Sequence, residues 1–137
     1  MTSSPHESRH IAVRIARPAA DVYAYASDPA RLPDWAHGLG GAIRREGDVW
    51  VAESPMGRVT VAFAPPNDFG VLDHDVTLPS GGTVHNPVRV LPGTEPSTSE
   101  IVFTLRRLPG MTEADFERDA DTVTADLERL RGLLEAD

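Results

Sequence analysis

His74 interrupts an apolar alternation in which Leu72, Val76 and Leu78 recur at steps of two. An imidazole on such a face could orient a bound group or move a proton near neutral pH. His85 and Arg89 follow on the next strand-like stretch. An even-numbered loop across Gly81 would bring them, with Pro87 and Leu91, to the face of His74, as a polar patch for a carbonyl, phenolate or carboxylate. An odd loop would turn the second strand over and leave His74 alone. The plainer alternatives are a core histidine bonded to a main-chain carbonyl or to Asp73 or Asp75, and an edge-of-sheet ion pair for Arg89.

Other chemistries find less support. Asp73, His74 and Asp75 alternate across a strand, so their side chains cannot converge on one ion. A metal site would need His74, His85 and a carboxylate from elsewhere, and no metal or cofactor is expected. No serine is tied by spacing to a histidine, and no nucleophile elbow is present. Trp35 and His37 close a short helical stretch, where Trp35 can serve as an aromatic wall or as a hydrophobic plug. Trp50 and Phe63 are strand residues facing the core, and Tyr23 and Tyr25 pack the first helix against the sheet edge.

Composition narrows the classes. The 137 residues suit one domain with a sizeable core. There is no cysteine, and all thirteen basic residues are arginine, which excludes disulfides, thiolate sites, Schiff-base chemistry and a phosphate-loop lysine. A formal charge of −8 argues against nucleic acid or an anionic membrane surface as partner. No apolar run approaches the roughly 20 residues of a membrane span. Residues 1–8 read as a flexible polar lead ahead of a single domain over 9–137, and the expected setting is cytoplasmic, as a monomer or homodimer.

The elements that must position these residues are readable in turn. Thr112 to Glu135 predicts one long amphipathic helix, capped by Thr112 and Asp115, with Phe116, Ala120, Val123, Leu127, Leu130 and Leu134 as its apolar stripe. His10 to Ala16 alternates as a half-buried strand. Pro18 to Ala26 and Asp28-Pro29 to Trp35 read as two short helices. Gly38, Gly40 and Gly41 break the pattern ahead of a strand near Ala42 to Glu46. A two-residue turn at Pro55-Met56 sets Glu53 opposite Arg58 and Trp50 opposite Val61. Strands over Phe69–Leu78, Val84–Leu91 and Ser99–Arg107 complete an antiparallel meander.

This order resembles the START-like helix-grip superfamily (SRPBCC). The stretches IARPAADVYAYASDPARLPDW (Ile15–Trp35), DHDVTL (Asp73–Leu78), PVRV (Pro87–Val90) and SEIVFTLRRLPG (Ser99–Gly110) look like its bacterial polyketide cyclase/dehydrase-like branch. The resemblance implies an α+β helix-grip fold: a curved antiparallel sheet of about seven strands wrapped around the long C-terminal helix, with two short helices after strand one. It also implies a cavity between sheet and helix that opens near Trp35 and His37, with Val123 and Leu127 on the helix side and Trp50, Phe63 and His85 on the sheet side. The function expected first is binding of an apolar, aromatic or polycyclic small molecule. A cyclase or dehydratase with His74 as general base and Arg89 steadying an enolate is the catalytic alternative, and it requires both side chains to point inward. A protein-interaction module like the heat-shock ATPase activators is a further alternative.

Overall fold

In the computed structural model the described residues are 7–37, 43–54 and 57–136. The glycine break at Gly38, Gly40 and Gly41, the Pro55-Met56 turn, and the lead up to residue 6 lie outside them. Strand β1 (Ser8–Ile15) starts two residues before the alternation begins, with Ser8 paired to Arg106. Its Ile11, Val13 and Ile15 face the core. Helix α1 (Ala19–Ala26) follows, then a 3₁₀ turn (Pro29–Arg31) running into α2 (Leu32–Trp35). Asp28 starts that turn by accepting the Ala30 N–H at 3.0 Å.

Strands β2 (Ile43–Glu46), β3 (Val49–Ser54), β4 (Gly57–Phe63), β5 (His74–Thr77) and β6 (Thr83–Asn86) form one antiparallel ladder. Strands β1, β8 (Ser99–Arg106) and β7 (Val88–Pro92) form another. The two are continuous in effect, because β6 and β7 are a single strand broken at Pro87, which has no N–H to give. Beyond the break the register of β5 on β6 persists: Val71 bridges Arg89, and Val90 N–H donates to Gly70 O at 2.9 Å. Gly70 has φ +72°, and a side chain there would meet the Val90 carbonyl, so only glycine permits this approach. The eight described strands thus act as the seven-stranded sheet implied by the helix-grip resemblance.

Helix α3 (Glu113–Glu135) begins at a capping box in which Thr112 Oγ1 accepts the Asp115 N–H and Asp115 accepts the Thr112 N–H. Phe116, Ala120, Leu127, Leu130 and Leu134 are buried against β1, β8 and the short helices. Charged ties hold its two ends: Arg9 grips Glu117 with two bonds, and the Ala16 N–H donates to Glu135. No described helix is long and apolar enough to cross a membrane.

The β3–β4 register is the one predicted, Trp50 opposite Val61 and Glu53 opposite Arg58. The next hairpin corrects an expectation. His74 pairs with Asn86 and Thr77 with Thr83, which leaves five loop residues, Leu78 to Gly82, with Gly81 at φ +95°. An odd loop inverts the second strand. Val84, Asn86 and Val88 therefore share the inner face with His74 and Val76, while His85 and Arg89 stand on the outer face with Asp73 and Asp75.

Candidate functional site

A cavity of about 290 Å³ lies between the inner face of the sheet and α3. Its walls are mostly apolar: Trp35 from α2, Phe63 from β4, Leu72, Val76, Phe103 from β8, and Val123 and Leu127 from α3. Of the residues singled out in the sequence, Trp35, Phe63, His74, Val123 and Leu127 line it. Trp50 is half-buried farther along the sheet, packed with Ala52, Val59 and Val61. His37 is exposed beyond the end of α2 and does not border the cavity. His85 and Arg89 are on the opposite face, for the loop-parity reason above.

His74 is the polar centre of the sheet side. Its Nδ1 is 3.2 Å from the Leu72 carbonyl oxygen, and a carbonyl can only accept, so Nδ1 carries the proton. In the neutral ring Nε2 then has a lone pair, which accepts from Asn86 Nδ2 at 3.4 Å. Phe63 and Phe103 flank the ring, with centroids 5.8 and 6.2 Å away. Desolvation by this surround lowers the imidazole pKa from its ordinary value and outweighs the Leu72 bond and the charges of Asp73 and Asp75. The neutral form is therefore the resident one.

On the helix side, Asp119, Thr122 and Asp126 border the cavity along one face of α3. Burial, then the charge of Asp115, raises the Asp119 carboxyl above its ordinary value. Asp126 pairs with Arg129 at 3.0 Å, and Thr122 donates to the Arg118 carbonyl. Trp35 is 9% exposed, and its Nε1–H has no hydrogen-bond partner among the described residues. A bound molecule could supply the acceptor that this group lacks.

The outer face carries its own network. Asp73 Oδ1 accepts from the Val88 N–H and from Arg89 Nε, both at 2.9 Å, and Oδ2 accepts from Arg89 Nη2 at 2.8 Å. The Arg89 hydrogen bond is the main reason the Asp73 carboxyl sits below its ordinary value and the guanidinium above its own. His85 Nδ1 lies 2.6 Å from Asp75. Among the described residues no group of His, Asp or Glu is arranged to hold a metal ion.

Sequence reasoning missed Asn86, Asp119, Thr122 and Asp126. Asn86 follows from counting an odd loop between Thr77 and Thr83. Asp119 sits three residues after Phe116 and four before Val123, on the border of the apolar stripe, a helical position that marks it as a carboxylate facing inward.

No family model matches the chain, and no curated protein matches it. Solved structures do. The chain is similar to the protein XoxI from Bacillus cereus, with a TM-score of 0.73 at 15% identity over 92% of this chain and 94% of that one. It is similar to a START superfamily protein from Mycobacterium smegmatis, with a TM-score of 0.70 at 16% identity over 94% and 97%. It is also similar to norcoclaurine synthase from Thalictrum flavum in complex with dopamine and hydroxybenzaldehyde, with a TM-score of 0.65 at 15% identity over 95% and 87%. The chain has the START-like helix-grip fold.

Proposed function

We propose that the protein binds a compact, apolar, aromatic small molecule in the cavity between the sheet and α3. The observation that carries this reading is the cavity itself: about 290 Å³, walled by Trp35, Phe63, Phe103, Val123 and Leu127, with the His74–Asn86 pair as a focused polar spot. That volume is at the small end of ligand pockets, which begin at roughly 300 Å³. A one- or two-ring molecule suits it better than a long acyl chain. The aromatic compounds bound by norcoclaurine synthase, which shares the fold, support the same class.

Arg89 cannot serve as the cation of a cyclase mechanism, because it lies on the outer face bonded to Asp73. Binding without that chemistry is the reading retained. It is tested by titrating the protein with 2-naphthol while following Trp35 fluorescence and the melting temperature. Saturable quenching, absent in Trp35→Phe, and a Tm that rises with ligand concentration are expected. Quenching without saturation and a flat Tm, for 2-naphthol and for a panel of one- and two-ring aromatics, would sink the proposal.

A further inference from the structure

In the ladder between the segment 70–72 and β7, the Leu72–Val88 rung is irregular in a particular way. Leu72 and Val88 are a hydrogen-bonded antiparallel pair, since the Leu72 N–H donates to Val88 O at 2.8 Å. A regular pair exchanges both bonds, and the Val88 N–H should return to Leu72 O. It does not: the Val88 N–H donates to the Asp73 carboxylate instead. The Leu72 carbonyl is thereby released from the ladder, and it is this oxygen that His74 Nδ1 reaches. Asp73 is held in place for the exchange by two bonds from Arg89.

We infer that Asp73 and Arg89, from the outer face of the sheet, are positioning residues that fix His74 in its Nδ1–H tautomer. The cavity is thereby committed to ligands that bring a hydroxyl or amine hydrogen to the Nε2 lone pair. The chain of contacts runs from Arg89 to Asp73, from Asp73 to the Val88 N–H, and from the vacated Leu72 carbonyl to His74. Asn86 holds Nε2 at 3.4 Å, longer than the usual 2.7–3.2 Å of an N–H bond. A ligand hydroxyl can replace that weak bond and in turn accept from the freed Asn86 amide. The tautomer stands independently of any ligand, whereas the ligand preference rests on the proposed binding function.

The experiment is ¹⁵N NMR of the His74 ring in the full chain, joined to binding of 2-naphthol and of its methyl ether, 2-methoxynaphthalene. The wild-type ring is expected to have protonated Nδ1 and bare Nε2 above neutral pH, and a ring with protonated Nε2 overturns the inference without any variant. Asp73→Ala should return the Val88 N–H to Leu72 and shift His74 toward the Nε2–H form. Asp73→Asn keeps an Oδ1 for the Val88 N–H and for Arg89 Nε and should preserve the Nδ1–H form. If both variants shift the tautomer alike, the carboxylate acts through its charge and the relay is wrong; if Asp73→Ala leaves it unchanged, the relay is also wrong. Wild type and Asp73→Asn should prefer the naphthol over its ether by about tenfold, the scale of one net hydrogen bond, and Asp73→Ala should lose the preference. Failure of both naphthalenes to bind would count against the proposed function, while the NMR result would still decide the relay.

Discussion

Arg129 Nη1 donates both to the Trp35 carbonyl, at 3.1 Å, and to Asp126 Oδ1, at 3.0 Å, so a single guanidinium ties the end of α2 to α3 beside the cavity. Arg129→Met keeps most of the aliphatic stem and removes both bonds. Because Arg129 is partly exposed, the expected loss of stability is about 1 kcal/mol. Trp35 loses its anchor at the same time, so 2-naphthol should leave faster. Thermal melts and stopped-flow release measure the two effects, and unchanged values in both would mean the tie is idle.

Trp35 gives a sharper contrast. Its ring is buried and its Nε1–H is unpaired among the described residues. Trp35→Ala should cost about 3–5 kcal/mol, as for other buried aromatics cut back to alanine. Trp35→Phe retains much of the packing and removes a donor without a partner, so its cost should stay under about 1 kcal/mol. Urea unfolding separates these outcomes, and a large loss in the phenylalanine variant would imply that the indole N–H is bonded in solution.

Acid should weaken the fold in two stages. Desolvation holds His74 below the ordinary imidazole value of about 6.5, so the unfolded chain takes up that proton first. This contribution is full above about pH 6.5 and declines as pH falls toward the lowered folded value. The Arg89 bond holds Asp73 below its ordinary value, so its contribution is full above about pH 4 and is lost at more acidic pH. Asp115 and Glu117 are shifted in the same direction and share the second stage. His74→Gln should flatten the first stage in denaturant titrations at stepped pH, and Asp73→Asn should shrink the second without abolishing it.

The long helix and the β3–β4 hairpin were legible because each is fixed by local pattern. A stripe at helical spacing behind a Thr112–Asp115 box has few alternatives, and a two-residue loop dictates that Trp50 meets Val61. The placement of Arg89 and His85 hung on whether the loop after Thr77 is odd or even, which the turn residues around Gly81 leave open. Val84, Val88 and Val90 alternate with His85 and Arg89, and weighing that second strand by itself would have favoured the odd loop, with Val88 and Val90 buried as they are. Nor could residue types announce that a side-chain carboxylate, Asp73, would take a bond belonging to the ladder, since that depends on a partner fifteen residues away. The cavity was implied by the family resemblance, whereas Asp119 and Asp126 each stand three residues after one member of the apolar stripe and four before another, a spacing that is easily lost among the many other acidic residues of the helix.

Asp119 should carry a cost at neutral pH. Burial and the neighbouring Asp115 raise its carboxyl, so its ionised form is less welcome in the folded chain than in the unfolded one. A raised carboxyl favours the fold below the unfolded value and loses that advantage as pH climbs through the folded one. Asp119→Asn should therefore raise the melting temperature at pH 7 and leave it nearly unchanged at pH 3. An equal change at both values would assign the effect to packing instead of charge.

Val123 offers a direct test of where the ligand sits. It lies on the apolar stripe of α3 and packs against the core, yet remains only half-buried because its other side borders the cavity. Val123→Phe extends a ring into that space. Filling a void adds dispersion contacts that an empty wall lacks, and substitutions of this kind commonly add about 0.5–2 kcal/mol. Steric strain would offset part of that, so the melting temperature should hold or rise. Affinity for 2-naphthol should fall at least tenfold, because the ring occupies the volume that the ligand needs. Leu127→Ala is the companion variant: Leu127 is 1% exposed, and its truncation should cost about 2–5 kcal/mol while enlarging the cavity. Stability up with binding down in the first variant, and stability down with binding retained in the second, is the pattern of a ligand held between the sheet and α3. Undiminished binding in a stable Val123→Phe protein would move the ligand elsewhere.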